Sequence, residues 1–466
     1  MSRKQTQSAS ALAERITAVS IEEAPLDAKA FNLYYSSSVE GNIANLLGAP
    51  HYSYRFAESK FIAAMSAEGI LAHKLLMPEY YNTAAALPDS IHEAGKAEVH
   101  LIFRSTEQIR LLKFAWNICC FAWEFEVIKD RTEIGEHPFL NQKRMLSLCN
   151  EIWVPCGYTK TVLESYGIHS HLIPAPIAIP LADRPPILEA LSYIGHVFVA
   201  PLHHNFLQSQ AQNRAACAEG GSTFLEYVGV RLKVTGKLRI YITIVNPEDF
   251  RKNLDAMLRA FYYFARTRND VLLVVKILTS SSRFHLLDVL SDVIPRKMDS
   301  GTAFQTGNIV FFNDFLSDRE MTHLFSIADY YLCTSLCEGQ NLPLLEAMAH
   351  GVVPVTTANT AMVDYITSQN AITIRDLAVA NDCIHLAGTI ARQPFSIRKS
   401  RVEDIYDALE RSSELTRTQY AKMSAEARHT VQQNYSPKVV LSRMQSRLRA
   451  IYQSMRGKQV SEMEGR

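Results

Sequence analysis

Short apolar runs alternate with longer amphipathic stretches in both halves of this chain, the pattern of buried strands feeding helices. In the first half, residues 31–35, 99–103, 151–155 and 172–174 read as strands, and Ser36 to Asn42 as a small-residue turn leading into a helical stretch. In the second half, residues 238–244, 271–278, 308–312 and 328–333 read as strands, 254–267 as an amphipathic helix and 413–449 as long helices with an apolar stripe. Strand and helix in alternation predict βαβ units and parallel sheets, an α/β fold. Residues 185–236 break the rhythm with Pro185-Pro186, an apolar patch at 197–200 and Gly220-Gly221, and read as an extended interdomain connection. No internal repeat or low-complexity tract is visible.

Length fits this division, because 466 residues exceed what one ordinary core supports. The expected domains are 1–184, then the connection 185–236, a second domain at 237–430 and a terminal helix at 431–466. A 47% apolar and 20% charged chain is globular. The net charge of +1 gives no sign of a nucleic-acid partner. The polar start, Met1 to Ser8, does not predict a signal peptide, and Val271 to Val275 is far too short to span a bilayer. The eight cysteines show no disulfide spacing, and Cys333 and Cys337 lack a second pair that would make a zinc site. The paired His203 and His204 have no acidic partner at a fixed spacing, so no metal is expected.

Candidate chemistry concentrates around Glu338 and Glu346. The apolar run Tyr330-Tyr331-Leu332-Cys333 leads into a polar loop, then Pro343 suits a first helical position and Gly351 a helix end, before the strand-like Val352-Val353-Pro354-Val355. Both carboxylates then sit near the carboxyl end of a parallel strand, where open α/β sheets bind ligands. Free N–H groups at the helix start and around Gly339 suit a diphosphate. Glu346 suits a ribose diol and Glu338 a second polyol, which together describe a nucleotide sugar. A second constellation, Arg251-Lys252-Asn253, places two cations at a strand-to-helix loop, where they suit the growing charge of a departing diphosphate. The chain contains no Asp-x-Asp motif to hold a metal for that purpose.

The Glu-Gly-x-x-Leu-Pro-Leu-x-Glu-Ala-Met run resembles the paired-glutamate motif of retaining glycosyltransferases with the GT-B fold, family 4 in particular. Arg251-Lys252-Asn253, the Phe121-Ala122-Trp123-Glu124-Phe125 run and Asn359-Thr360 resemble a bacterial polysaccharide-assembly subgroup. The resemblance implies two Rossmann-like domains facing a cleft, with a terminal helix crossing back to the first. It implies that Glu346 holds the ribose, and that Glu338 with the amides of Gly339, Gln340, Asn341 and Leu342 holds the donor sugar. Val245-Asn246 stands where many members have Gly-Arg, so Asn246 takes a donor-side position and Arg251 and Lys276 are both candidates for the arginine role. Thr360 is expected at the donor, and Asp364 and Tyr365 at the donor or as loop supports. Acceptor contacts are expected from the 36–42 turn and around Trp123; Glu124 and Glu126 are candidates for acceptor contact or base, or for structure alone. The implied reaction moves a hexosyl unit from a UDP- or GDP-sugar to a glycan or lipid-linked glycan with retention, without metal or other cofactor. The expected location is the cytoplasm, with room for peripheral association with the inner membrane. A GT-B phosphorylase or epimerase, and a non-catalytic glycan- or partner-binding module, are the alternatives.

Overall fold

The computed structural model describes residues 30–37, 52–180, 184–197, 200–201, 223–278, 308–375, 377–382 and 395–464. A first sheet contains β1 (Phe31–Ser37), β2 (His73–Lys74), β3 (Ala97–Phe103), β4 (Trp116–Cys120), β5 (Glu151–Val154) and β6 (His171–Leu172). Its order is β2-β1-β3-β4-β5-β6, with every pairing parallel. Helices α1 (Tyr52–Ala67), α2 (Gln142–Ser147) and α3 (Gly157–Ser165) belong to this domain. The strand β4 is not legible as a separate run, because Trp116-Asn117-Ile118-Cys119-Cys120 merges with the apolar residues after it. Those residues, including Glu124 and Glu126, form a loop beyond β4 instead of sharing a strand or helix face.

The second sheet contains β7 (Ala200–Pro201), β8 (Arg239–Val245), β9 (Val271–Ile277), β10 (Ile309–Phe312), β11 (Tyr330–Cys333), β12 (Val353–Thr356) and β13 (Ile372–Thr373). Its order is β13-β12-β11-β8-β9-β10-β7, parallel except for the antiparallel edge pairing of β7 with β10. β9 is buried at all seven positions, as expected of a parallel strand covered on both faces. Helices α4 (Ile187–Ile194), α5 (Phe224–Thr235), α6 (Leu254–Ala265), α7 (Asp318–Ile327) and α8 (Leu342–Ala349) surround it. A small hairpin, β14 (Ala378–Asp382) with β15 (Phe395–Lys399), follows.

The segment read as an extended connection is different in kind. Ala190, Leu191 and Ile194 of α4 and Phe224 and Val228 of α5 lie in one apolar cluster with Ile240, Ile242 and Leu272 of the second sheet. These two helices therefore complete that domain's core. Pro185 and Pro186 mark a helix start, with Pro186 at the N-cap. His203 and His204 lie outside the described residues, as does the 36–42 turn beyond Ser37.

Three helices end the chain: α9 (Val402–Ser413), α10 (Arg417–Tyr435) and α11 (Pro437–Glu464). The last carries Val440, Leu441, Met444, Leu448 and Ile451 into the core of the first sheet, beside Phe31, Leu33, Phe61 and Trp153. The terminal helix thus crosses back onto the first domain, as the fold resemblance implies. Among the described residues no helix is long and apolar enough to cross a membrane.

Candidate active site

The chain order of the second sheet reverses between β8 and β11. β9 and β10 lie on one side of β8, and β12 and β13 lie beyond β11. Loops leaving the carboxyl ends of these two strands diverge, and the crevice between them is where such sheets bind ligands. The loop after β8 carries Asn246 to Asn253; the loop after β11 carries Thr334 to Asn341. A small pocket there is lined by Thr243, Val245, Lys252, Thr334, Glu338 and Asn341.

Within it, the Lys252 Nζ donates to Glu338 Oε1 at 2.6 Å. Glu338 is 6% exposed, so its charge is sustained by cations instead of by water. Burial pushes its carboxyl up, but Lys252 and then Arg251 outweigh this and hold it below the usual glutamate value. Burial likewise pushes Lys252 down, yet Glu338 and Asp249 hold its ammonium above the usual lysine value. Both groups are therefore ionised. Arg251 forms a fork with Asp249, Nε to Oδ1 at 2.8 Å and Nη2 to Oδ2 at 2.6 Å, while Nη1 donates to Glu124 of the first domain. The loops are pinned to each other: Leu336 N donates to the Arg251 carbonyl at 2.7 Å, and Thr334 Oγ1 to the Lys252 carbonyl at 2.9 Å.

Among the described residues three non-glycine residues have left-handed backbone, and all three border this site: Asn253 (φ 51°), Asn341 (φ 62°) and Thr360 (φ 44°). Asparagine tolerates this region, whereas a β-branched residue there is strained by about 1–3 kcal/mol. Thr360 is held in place because its Oγ1 accepts from Glu338 N at 2.8 Å. Its role in this structure is to orient the Glu338 backbone. Asn341 caps α8, its Oδ1 accepting from Leu344 N at 3.4 Å. Gly339 lies against the first domain. A Cβ there would meet the Ala122 Cβ at 3.3 Å and Glu124 Oε2 at 3.6 Å.

The other expected site residues are distributed differently. Gln340 turns both polar ends to the chain crossing between domains, Oε1 accepting from Ala175 N at 3.0 Å and Nε2 donating to Ala175 O at 2.9 Å. Leu342 packs between the cores of the two domains. Glu346 projects from α8 toward the first domain and pairs with Lys60 of α1. Lys276 is not part of the cluster: its ammonium donates to the Asp314 carbonyl beyond β10 at 2.6 Å, and burial pushes it down to about 8. Asn246 shapes its own loop, Oδ1 accepting from Glu248 N at 3.0 Å. Glu126 is exposed, whereas Glu124 joins the cluster through Arg251. Asp364 caps α3 across the cleft, accepting from Gly157 N at 2.7 Å, and Tyr365 donates to the Gln340 carbonyl at 2.9 Å. Both brace the loops.

Three residues here had no reading in the sequence: Asp249, Lys60 and Ala175. Asp249 was within sight, two positions before Arg251, where a carboxylate can return to fork the guanidinium. Lys60 gave no signal, since its partner is 286 positions away. Among the described residues no cluster of three or more acidic, histidine or cysteine side chains could hold a metal ion.

Residues 246–392 match the family model described as Glycosyl transferases group 1. No curated protein sequence matches the chain. Among solved structures, sucrose-phosphate synthase from Thermosynechococcus elongatus is similar at 13% identity and a TM-score of 0.52, over 90% of this chain and 99% of that one. The α,α-trehalose 6-phosphate synthase from Burkholderia multivorans is similar at 12% identity and 0.50, over 89% and 81%. TarM from S. aureus is similar at 11% identity and 0.47, over 74% of this chain, which spans just over half (54%) of TarM's length. The chain has the GT-B fold, and its second domain carries a region matching the group 1 glycosyl transferases.

Proposed function

We propose that this protein is a glycosyltransferase moving a hexosyl unit from a UDP- or GDP-linked sugar to a hydroxyl of a glycan or lipid-linked glycan, with retention at the anomeric carbon. The observation that carries the reading is the Lys252–Glu338 pair with Arg251 beside it, groups 86 positions apart in sequence that meet where the sheet order reverses. A sugar nucleotide needs both features at one point. Arg251 and Lys252 neutralise charge building on the departing diphosphate, the step at which fixed cations lower a barrier most. Glu338, held ionised and pinned by Thr360, accepts hydroxyls of the donor sugar; Glu346 accepts the ribose diol. Glu124 stands where the first domain meets the sugar site, a position suited to an acceptor hydroxyl. Closure of the domains excludes water and limits hydrolysis.

The reading is tested with a panel of UDP-, GDP-, ADP- and dTDP-sugars, by thermal shift and then by transfer to a mixed glycan acceptor set, with the product anomer read by NMR. Glu346→Ala serves as the site control and should weaken binding of the free nucleotide by about 1.5–3 kcal/mol. A panel in which no sugar nucleotide raises the melting temperature would remove the proposal. An inverted product would remove retention alone.

A further inference from the structure

The helix α1 has two working faces. Phe61, Ala64 and Met65 enter the core of the first domain. Phe56 and Lys60, one turn apart and therefore neighbours on another face, turn to the second domain. Phe56 packs against the second domain's core, and the Lys60 ammonium pairs with Glu346 Oε1. Both side chains of that pair are largely covered, 22% and 24% exposed.

We propose that Lys60 is a positioning residue of the nucleotide site, supplied by the first domain, which holds Glu346 for the ribose and couples nucleotide binding to cleft closure. This rests on the ribose role proposed for Glu346. A carboxylate has two oxygens with several acceptor positions, so Lys60 on Oε1 leaves Oε2 for a sugar hydroxyl. Covering a carboxylate with a bound nucleotide removes its water, which is costly unless a cation stays beside it. Lys60 is that cation, and it is in reach only when the domains are together, as they are here. A nucleotide seated on Glu346 therefore favours the closed cleft.

The test uses the full-length chain with UDP and UMP, and GDP and GMP in parallel, by calorimetry. Lys60→Met should weaken mono- and diphosphate binding by the same factor, roughly ten- to a hundredfold for a lost charged partner. Lys60→Arg should stay within a few-fold of the parent, which a loss through misfolding of α1 would not predict. On a Glu346→Ala background, Lys60→Met should cost nothing further, since the residue acts through Glu346. Three results overturn the inference while leaving the ribose reading intact, provided Glu346→Ala still weakens binding. One is unchanged affinity in Lys60→Met, a second is tighter affinity, and the third is a loss confined to diphosphates, which means direct phosphate contact. If Glu346→Ala binds nucleotide like the parent, the ribose reading falls and this inference with it.

Discussion

Arg251 and Glu124 meet across the domain boundary, the guanidinium Nη1 donating to Glu124 while Nε and Nη2 are forked by Asp249. The cation expected to meet a diphosphate is thus already shared by two carboxylates, one from each domain. Glu124 Oε2 also lies 3.6 Å from where a Gly339 side chain would begin, over the loop whose amides suit a donor. The Glu124 carboxylate occupies a place fit for an anion.

Glu124→Gln should therefore bind nucleoside diphosphates more tightly than the parent, by about two- to fivefold, the size of one partly exposed ion pair. Transfer should nevertheless fall, because the acceptor loses its carboxylate. Calorimetry with UDP and GDP beside steady-state rates separates the two effects. Weaker diphosphate binding in the variant would show that Glu124 is not a competitor for Arg251.

Lys252→Ala removes both a leaving-group cation and the partner of a buried carboxylate. Turnover should drop about a hundred- to a thousandfold. Stability should also fall, by up to about 3–5 kcal/mol, because Glu338 is left charged and buried with Arg251 as its remaining nearby cation. The double variant Lys252→Ala/Glu338→Gln should recover most of the stability and none of the activity. Denaturant melts and single-turnover rates on the three proteins test this, and recovery of transfer in the double variant would deny Lys252 a catalytic role.

Lys276 is pushed down to about 8 by burial, below its unfolded value near 10.5. Between these values the unfolded chain binds the proton more tightly, so stability rises as pH climbs from about 8 toward 10.5. Below 8 the full cost of charging a buried lysine is present, about 3 kcal/mol at 1.36 kcal/mol per pH unit. Lys276→Met should be at least as stable as the parent at pH 7, and that advantage should shrink by pH 10. Melting temperatures of both proteins at the two pH values decide it; a variant destabilised at pH 7 by several degrees would mean the Asp314 contact outweighs burial.

Transfer should persist in excess EDTA. The chain has no Asp-x-Asp motif, and Arg251 with Lys252 supplies the charge that a metal would otherwise bring. Activity lost to chelator and restored by manganese would assign leaving-group stabilisation elsewhere.

Much of this molecule was legible in the order of its residues because the signals are local. Strand β9 opens on a continuous apolar run, Val271 to Val275, and Pro343 and the spacing of Glu338 and Glu346 announce a loop-to-helix junction. Apolar positions repeating along 440–451 mark a helix with one buried face. Where signals overlapped, the reading failed. β4 is hidden inside Trp116 to Phe125, and two prolines made α4 look like a linker although Pro186 only begins a helix.

The sequence by itself determined which groups could serve: two glutamates and two cations near the ends of parallel strands. Their types and local spacing follow from helix and strand geometry, which neighbouring residues encode. Only the tertiary structure decided who meets whom. It drew Glu338 to Lys252, gave Arg251 to Asp249 and Glu124, sent Lys276 to the Asp314 carbonyl, and set Lys60 on Glu346. Each of those partnerships except the Asp249 fork joins residues far apart in the chain, and charge pairing acts over a few ångströms of space whatever the separation in sequence.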